Sequence, residues 1–270
     1  MLARIRHYSF EILTATLFGM GLLIQTLGRV PGGLRPLAIA LAIPFLIAMV
    51  LAIVEFGLLI RTQLGKGWAR LYFGVLLVQV FWALVRAPLD VDGIFYHLTI
   101  VLDALQKNQW GTWQFQIWQV QSTPKVSEVF NLSLIALGGF RLAQLGHFAT
   151  AILGAWAFAD AAKSLGLKRP AFFGLIYWLT PIVNKQMTSN YVDMAFYSFW
   201  LACAAFALRL VVRMDRRDLW LLGMSAFLLV GCKMNGFVSL AAIAPILLLA
   251  RNQWKQATLV CTGFTILSSA

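Results

Sequence analysis

The chain has little charge: 12% of its 270 residues are Asp, Glu, Lys or Arg, and only ten of these are acidic. The stretches Leu37 to Val54 and Met234 to Ala250 contain no charged residue at all, close to the roughly 20 apolar residues that a membrane span requires. A soluble core does not need such runs, and 60% of the chain is hydrophobic. Strict strand-like alternation over about ten residues is also lacking, which excludes a lipid-embedded barrel and leaves helices as the spanning structure. Cysteine is scarce as well. Cys203 and Cys261 fall inside apolar runs and Cys232 near the end of one. Without a Cys-x-x-Cys pair they suggest neither a disulfide framework nor a zinc site. His7, His97 and His147 are far apart in the chain, so no metal site is expected and no cofactor is called for. What remains is an all-α, polytopic helical membrane protein forming a single transmembrane domain, with no soluble domain.

Basic residues outnumber acidic ones, giving a net charge of +12, but they occur in short clusters between apolar runs. There is no basic stripe and no recognition module, which argues against a nucleic-acid partner. Their spacing encodes topology instead. Spans are expected at about 8–27, 36–60, 69–86, 140–162, 171–184, 191–212, 219–232, 236–250 and 256–270, eight or nine in all. Met1 to His7 followed by an apolar run resembles a secretory signal, but no small-x-small cleavage site follows, so an uncleaved first span is expected. With Arg4 and Arg6 in the cytoplasm, the cytoplasmic group includes Arg61, Lys66, Arg70, Lys163, Lys168, Arg169, Arg209, Arg213, Arg216, Arg217, Arg251 and Lys255, 14 of the 22 basic residues. That bias supports a cytoplasmic amino terminus.

The one long interruption, 88–139, then falls on the extracytoplasmic side. Ile94, Leu98, Val101 and Leu105 recur at helical spacing, with Asp92, Tyr96, Thr99, Asp103 and Lys107 on the opposite face. This pattern predicts an amphipathic helix lying along the membrane surface. The segment Trp110 to Gln119 is rich in tryptophan and amides and suits the headgroup level; Phe130 to Phe140 is apolar but short for a span. Two later short spans end in polar clusters, Asn184 to Asn190 and Cys232 to Gly236, on the same side as the long loop. Polar groups from three parts of the chain are thus expected around one extracytoplasmic cavity.

Within the loop, Asp92-Gly93-Ile94-Phe95-Tyr96-His97-Leu98 resembles the Asp-Ala/Gly-Leu/Ile-x-Tyr-His-Leu signature of bacterial membrane glycosyltransferases of the GT-C superfamily, in the dolichyl-phosphate-mannose-mannosyltransferase-like branch. Three further pieces are similar in order: Ser122-Thr123-Pro124-Lys125-Val126-Ser127-Glu128 to a Pro-x-x-Ser-Glu segment, Tyr191-Val192-Asp193-Met194-Ala195 to a Tyr-Val-Asp that opens a span, and Gly231-Cys232-Lys233-Met234-Asn235-Gly236 to a Lys-x-x-Gly that ends one. The likeness covers roughly 85–240. It implies an inverting enzyme of the bacterial plasma membrane that serves the cell envelope, taking a sugar from a polyprenyl-phosphate donor on the extracytoplasmic side and passing it to an acceptor. Here three expected spans precede the loop, two more than the superfamily usually has. Members continue for several spans beyond the point where this chain ends, so the resemblance implies an amino-terminal portion.

By that resemblance Asp92 is the catalytic carboxylate. An acceptor hydroxyl is a poor nucleophile, and an ionised carboxylate within reach can take its proton as the sugar–phosphate bond breaks. The leaving lipid phosphate calls for positive charge, which Lys233 and Lys185, then Lys125, are placed to supply. Asp90, Tyr96, His97, Glu128 and Asp193 complete the expected substrate-binding set. Other roles stand beside these. Asp90 and Asp92 both suit the amino-terminal cap of the loop helix, and Glu128 suits the cap of the helix that follows it. Tyr96 and His97 suit interfacial anchors. Asp193 can pair with Lys185 or cap the next span, and Lys233 can snorkel to the headgroups. A multi-span transporter or lipid flippase, or a noncatalytic membrane subunit, are the alternatives to an enzyme.

Overall fold

In a computed structural model, the described residues are 8–86, 93–111, 125–189, 191–213, 215–250 and 254–269. They are helical, with no strand among the described residues. The helices are α1 (Ser9–Leu27), α2 (Leu34–Leu64), α3 (Lys66–Val85), α4 (Leu98–Lys107), α5 (Val126–Gly138), α6 (Gly146–Ser164), α7 (Pro170–Leu179), α8 (Pro181–Met187), α9 (Asp193–Arg213), α10 (Arg216–Cys232), α11 (Gly236–Ala241), α12 (Ala244–Leu248) and α13 (Trp254–Ser269). Five segments are long and apolar enough to cross a membrane: α1, α2, α3, Phe140–Ser164 ending in α6, and α9.

Helix α2 is apolar on every side, a pattern compatible with a lipid surround. Ala38, Ala42, Phe45, Ala52, Phe56 and Ile60 face the protein core, while Ile39, Ile43, Ile47, Val50 and Val54 form an exposed stripe. A soluble helix would carry polar residues on that outer stripe. The small alanines on the inner side let α2 approach its neighbours closely, as membrane helices without a hydrophobic driving force require. Gly65 alone joins α2 to α3, at φ 103, a conformation that costs a residue with a Cβ and is open to glycine.

Three expected spans take a different form. The segment expected at 171–184 is broken into α7 and α8 at Pro181, whose missing N–H and ring cannot continue a helix. The segment expected at 236–250 forms α11 and α12. The 17-residue α10 is short for a span, and its residues Leu221, Leu222, Phe227, Leu228 and Leu229 are buried by protein.

Helix α5 is buried from Val126 through Ala136 and packs against α1, α2, α4, α6 and α10. Its Phe130 stacks on Phe45 of α2 with ring centroids 6.0 Å apart, and meets Phe199 of α9 edge-on at 6.2 Å. Val126, at its first turn, is held between two glycines. A Cβ at Gly21 of α1 would lie 3.3 Å from it, and one at Gly231 of α10 only 2.5 Å. These glycines let the start of α5 enter the bundle.

Candidate functional site

The site is built at the end of the bundle where α1 turns into α2. Asn108, the left-handed C-cap of α4 at φ 50, ties α4 to that turn. Its Oδ1 accepts from the Arg35 backbone N–H at 2.6 Å and its Nδ2 donates to Gly32 O at 2.8 Å. The Trp110 N–H donates to Gly28 O at 2.7 Å. The bond to Arg35 satisfies one of the open N–H groups at the start of α2, and the set as a whole fixes α4 over the bundle's end. Immediately before α4, Gly93–His97 form a π-helical turn, a local widening of the helix that recurs at functional sites.

That turn delivers His97 to Glu128 in the first turn of α5. His97 Nδ1 lies 2.6 Å from Glu128 Oε1, and the Ser127 hydroxyl donates to Glu128 Oε2 at 2.6 Å. His97 is 4% exposed and Glu128 3%. Burial pushes the carboxyl upward, but the bonds from His97 and Ser127 and the charges of His97 and Lys125 outweigh it, holding Glu128 below the ordinary glutamate value. The helix N-terminus also favours the anion. An ionised carboxylate can only accept, so the hydrogen between the pair belongs to His97 Nδ1. Lys125, at the N-cap of α5, is also buried; burial lowers its ammonium below the ordinary lysine value, opposed by the charge of Glu128. Tyr96 places its ring 4.0 Å from the His97 ring. His147 and Asn131 continue the polar seam into the bundle, with Asn131 Nδ2 3.5 Å from His147 Nε2.

A second ion pair lies alongside. Asp193, which begins α9, pairs with Lys233, the C-cap of α10. Both side chains remain more than a third exposed. Cys232 joins the two pairs. Its Sγ is 3.6 Å from Val192 O, and it lies beside Ser127, Glu128, Lys233 and Asp193. Asp193 thus pairs with Lys233 and not with Lys185, which is exposed on α8 without an acidic partner among the described residues. Next to Lys185, Asn184 is hydrogen-bonded to Gln79 of α3. Among the predicted residues, His97, Glu128, Lys125, Tyr96, Asp193 and Lys233 are drawn to one end of the bundle. Asp90 and Asp92 lie outside the described residues. Ser127, Cys232, Asn131 and His147 were not foreseen; Ser127 stood next to Glu128 and Cys232 next to Lys233 in the motifs.

The opposite end carries a second charge cluster. Arg209, expected among the cytoplasmic loop residues, is instead buried near the end of α9. Its Nε and Nη2 clasp Asp160 at 2.5 and 2.7 Å, and its Nη1 reaches Glu11 at 2.6 Å and Asp218 at 3.4 Å. Four helices, α1, α6, α9 and α10, are joined by one guanidinium, whose planar fork suits several carboxylates at once. A cavity of about 550 Å³ adjoins it, lined by Glu11, Glu55, Asp160, Lys163, Arg209 and Arg213 among others. Carboxylates and a guanidinium at one depth of α1 and α9 were the signal for this cluster. No group of three or more metal-ligating side chains occurs among the described residues.

Comparison with protein-family models, with curated proteins and with solved structures gave no match. Fold and composition define a helical protein compatible with an integral membrane location, bearing polar clusters at both ends of its bundle.

Proposed function

We propose that the chain is the membrane part of a glycosyltransferase that takes a sugar from a polyprenyl-phosphate donor on the extracytoplasmic side. The observation that carries this reading is the meeting of the buried His97–Glu128 pair and the half-exposed Asp193–Lys233 pair around Cys232. These residues come from the four motifs that resemble the GT-C superfamily, and they are drawn from distant parts of the chain. In the proposed topology eight or nine spans cross the plasma membrane of a bacterium. The amino terminus is cytoplasmic, and α4 lies along the extracytoplasmic surface.

In the proposed reaction the acceptor oxygen forms a bond to the sugar's anomeric carbon as the bond from that carbon to the phosphate oxygen breaks. The acceptor proton passes to Asp92 and the carrier leaves as its phosphate. Asp92 precedes the π-helical turn by one residue, so Glu128, by gripping His97, positions the segment from which Asp92 acts. Lys233 supplies positive charge towards the departing phosphate while Asp193 sets its direction. Lys185 is a second available cation. Sugar and acceptor identity are determined by parts of the site beyond these residues.

Substituting Asp92→Asn tests the assignment. Donor binding is expected to persist while transfer falls by about 10²–10⁴-fold, the usual contribution of a general base; unchanged transfer would remove Asp92 from the mechanism. A transporter is the second reading, favoured by the Arg209 cluster and its cavity at the opposite end, because buried ionisable groups in membrane helices often mark a substrate path. Uptake of sugar into sealed vesicles would select it.

A further inference from the structure

A separate cavity of about 380 Å³ lies where the end of α3 meets the turn before α6. It is lined by Ala83, Leu84, Val85, Arg86, Phe140, Arg141 and Gln144. Arg86 and Arg141 are exposed, and neither has a carboxylate partner among the described residues. Arg86 leans toward the Trp82 ring, 6.0 Å from its centroid. Gln144 differs from both. It is 2% exposed, and its Oε1 is buried without a hydrogen-bond partner. Buried amide oxygens are rarely left this way, and Gln144 is among the residues that line the cavity.

The surroundings specify what would satisfy these groups. Two guanidiniums present forked donors that match phosphate oxygens. An amide oxygen beside them calls for a hydroxyl or amide hydrogen on the same ligand. Below the cavity α3 exposes Leu77, Val78, Phe81 and Val85, and Trp82 and Phe140 are exposed at its rim, aromatic side chains of the kind that settle at the membrane–water boundary. The ligand therefore has a polar head containing phosphate and an apolar tail lying along α3.

We infer that Arg86, Arg141 and Gln144 form a docking site for the phosphate group of a membrane lipid, the amide receiving a hydrogen from the head group. The site shares no residue with the His97–Glu128 and Asp193–Lys233 pairs and stands independently of the proposed sugar transfer. Phosphatidylglycerol and a polyprenyl phosphate carry the same phosphate chemistry from different sources, and the first also brings free hydroxyls.

The full chain in nanodiscs of neutral phosphatidylcholine is titrated separately with phosphatidylglycerol and with a polyprenyl phosphate, and bound lipid is counted by native mass spectrometry. Arg86→Gln with Arg141→Gln is expected to weaken binding by about a hundredfold, roughly tenfold for each guanidinium–phosphate pairing removed. Arg86→Lys with Arg141→Lys retains charge but not the forks and falls between. Gln144→Leu tests the amide alone and is expected to weaken the hydroxyl-bearing lipid more. Selective loss for one lipid supports the site and names its source, and loss for both supports a shared phosphate site. Both arginines are exposed, so the folded variant can be verified by its unchanged helical circular dichroism. Unweakened binding of both lipids to the folded Arg86→Gln, Arg141→Gln protein would overturn the inference.

Discussion

Replacing Glu128 by Gln changes one buried charge and almost no volume. In the native protein Glu128 receives hydrogen bonds from His97 and Ser127, each 2.6 Å long. Bonds to a charged group contribute about 1.5–3 kcal/mol and neutral ones about 0.5–1.5 kcal/mol. Two bonds each reduced by about 1 kcal/mol give a loss of roughly 2 kcal/mol, with the smaller desolvation cost of the amide acting in the opposite direction. For a chain of this size that corresponds to a midpoint lower by roughly 4–8 °C. Glu128→Ala leaves both donors unsatisfied and is expected to cost about 3–5 kcal/mol. Thermal unfolding in a mild detergent, followed by circular dichroism, ranks the three proteins. The pH dependence gives a second readout. Because the folded carboxyl is held below its ordinary value, its contribution is complete above the ordinary glutamate range and is lost as the pH falls through the lower folded value. Glu128→Gln should remove that acid-side decline. A variant as stable as the native chain, with an unchanged acid limb, would refute the assignment of an ionised, stabilising Glu128.

Other perturbations reach different parts of the molecule. Lys125 is lowered by burial, so between its folded value and the ordinary lysine range the unfolded chain binds the extra proton and stability should rise with pH; Lys125→Met should flatten that rise in the same unfolding assay. Gly231→Ala brings a Cβ 2.5 Å from Val126 and should cost about 1–3 kcal/mol through overpacking, with Val126→Ala restoring most of the loss. Arg209→Met leaves Glu11, Asp160 and Asp218 buried without their shared cation and should cost about 3–5 kcal/mol. Arg209→Lys is expected to recover only part of this, since an ammonium cannot reproduce the two-point clasp on Asp160, and equal stability of native and Met proteins would contradict it.

The all-helical, membrane-compatible class was legible because lipid imposes long apolar runs, and those around α1, α2, α3 and α9 are long. The breaks were harder to read. Pro181 and Pro245 were visible, but in apolar surroundings their effect depends on whether neighbouring helices satisfy the freed backbone groups. Motif order pointed to His97, Glu128, Asp193 and Lys233, but not to their pairing. His97 and Glu128 are 31 positions apart and Asp193 and Lys233 are 40 apart, and only the packing of α5 against α4 and of α9 against α10 decides which charges meet. Arg209 was hidden for a related reason. Near the end of an apolar run an arginine suits a cytoplasmic edge equally well, and its three carboxylates come from three other helices.

The proposed activity is tested most directly by measuring both products in proteoliposomes loaded with a radiolabelled polyprenyl-phosphate sugar and an acceptor extract from the cell envelope. Free polyprenyl phosphate and labelled acceptor should form in equal amounts, because one bond to the anomeric carbon replaces another. Labelled sugar crossing the sealed bilayer, with no polyprenyl phosphate released, would contradict a transferase and establish transport in its place.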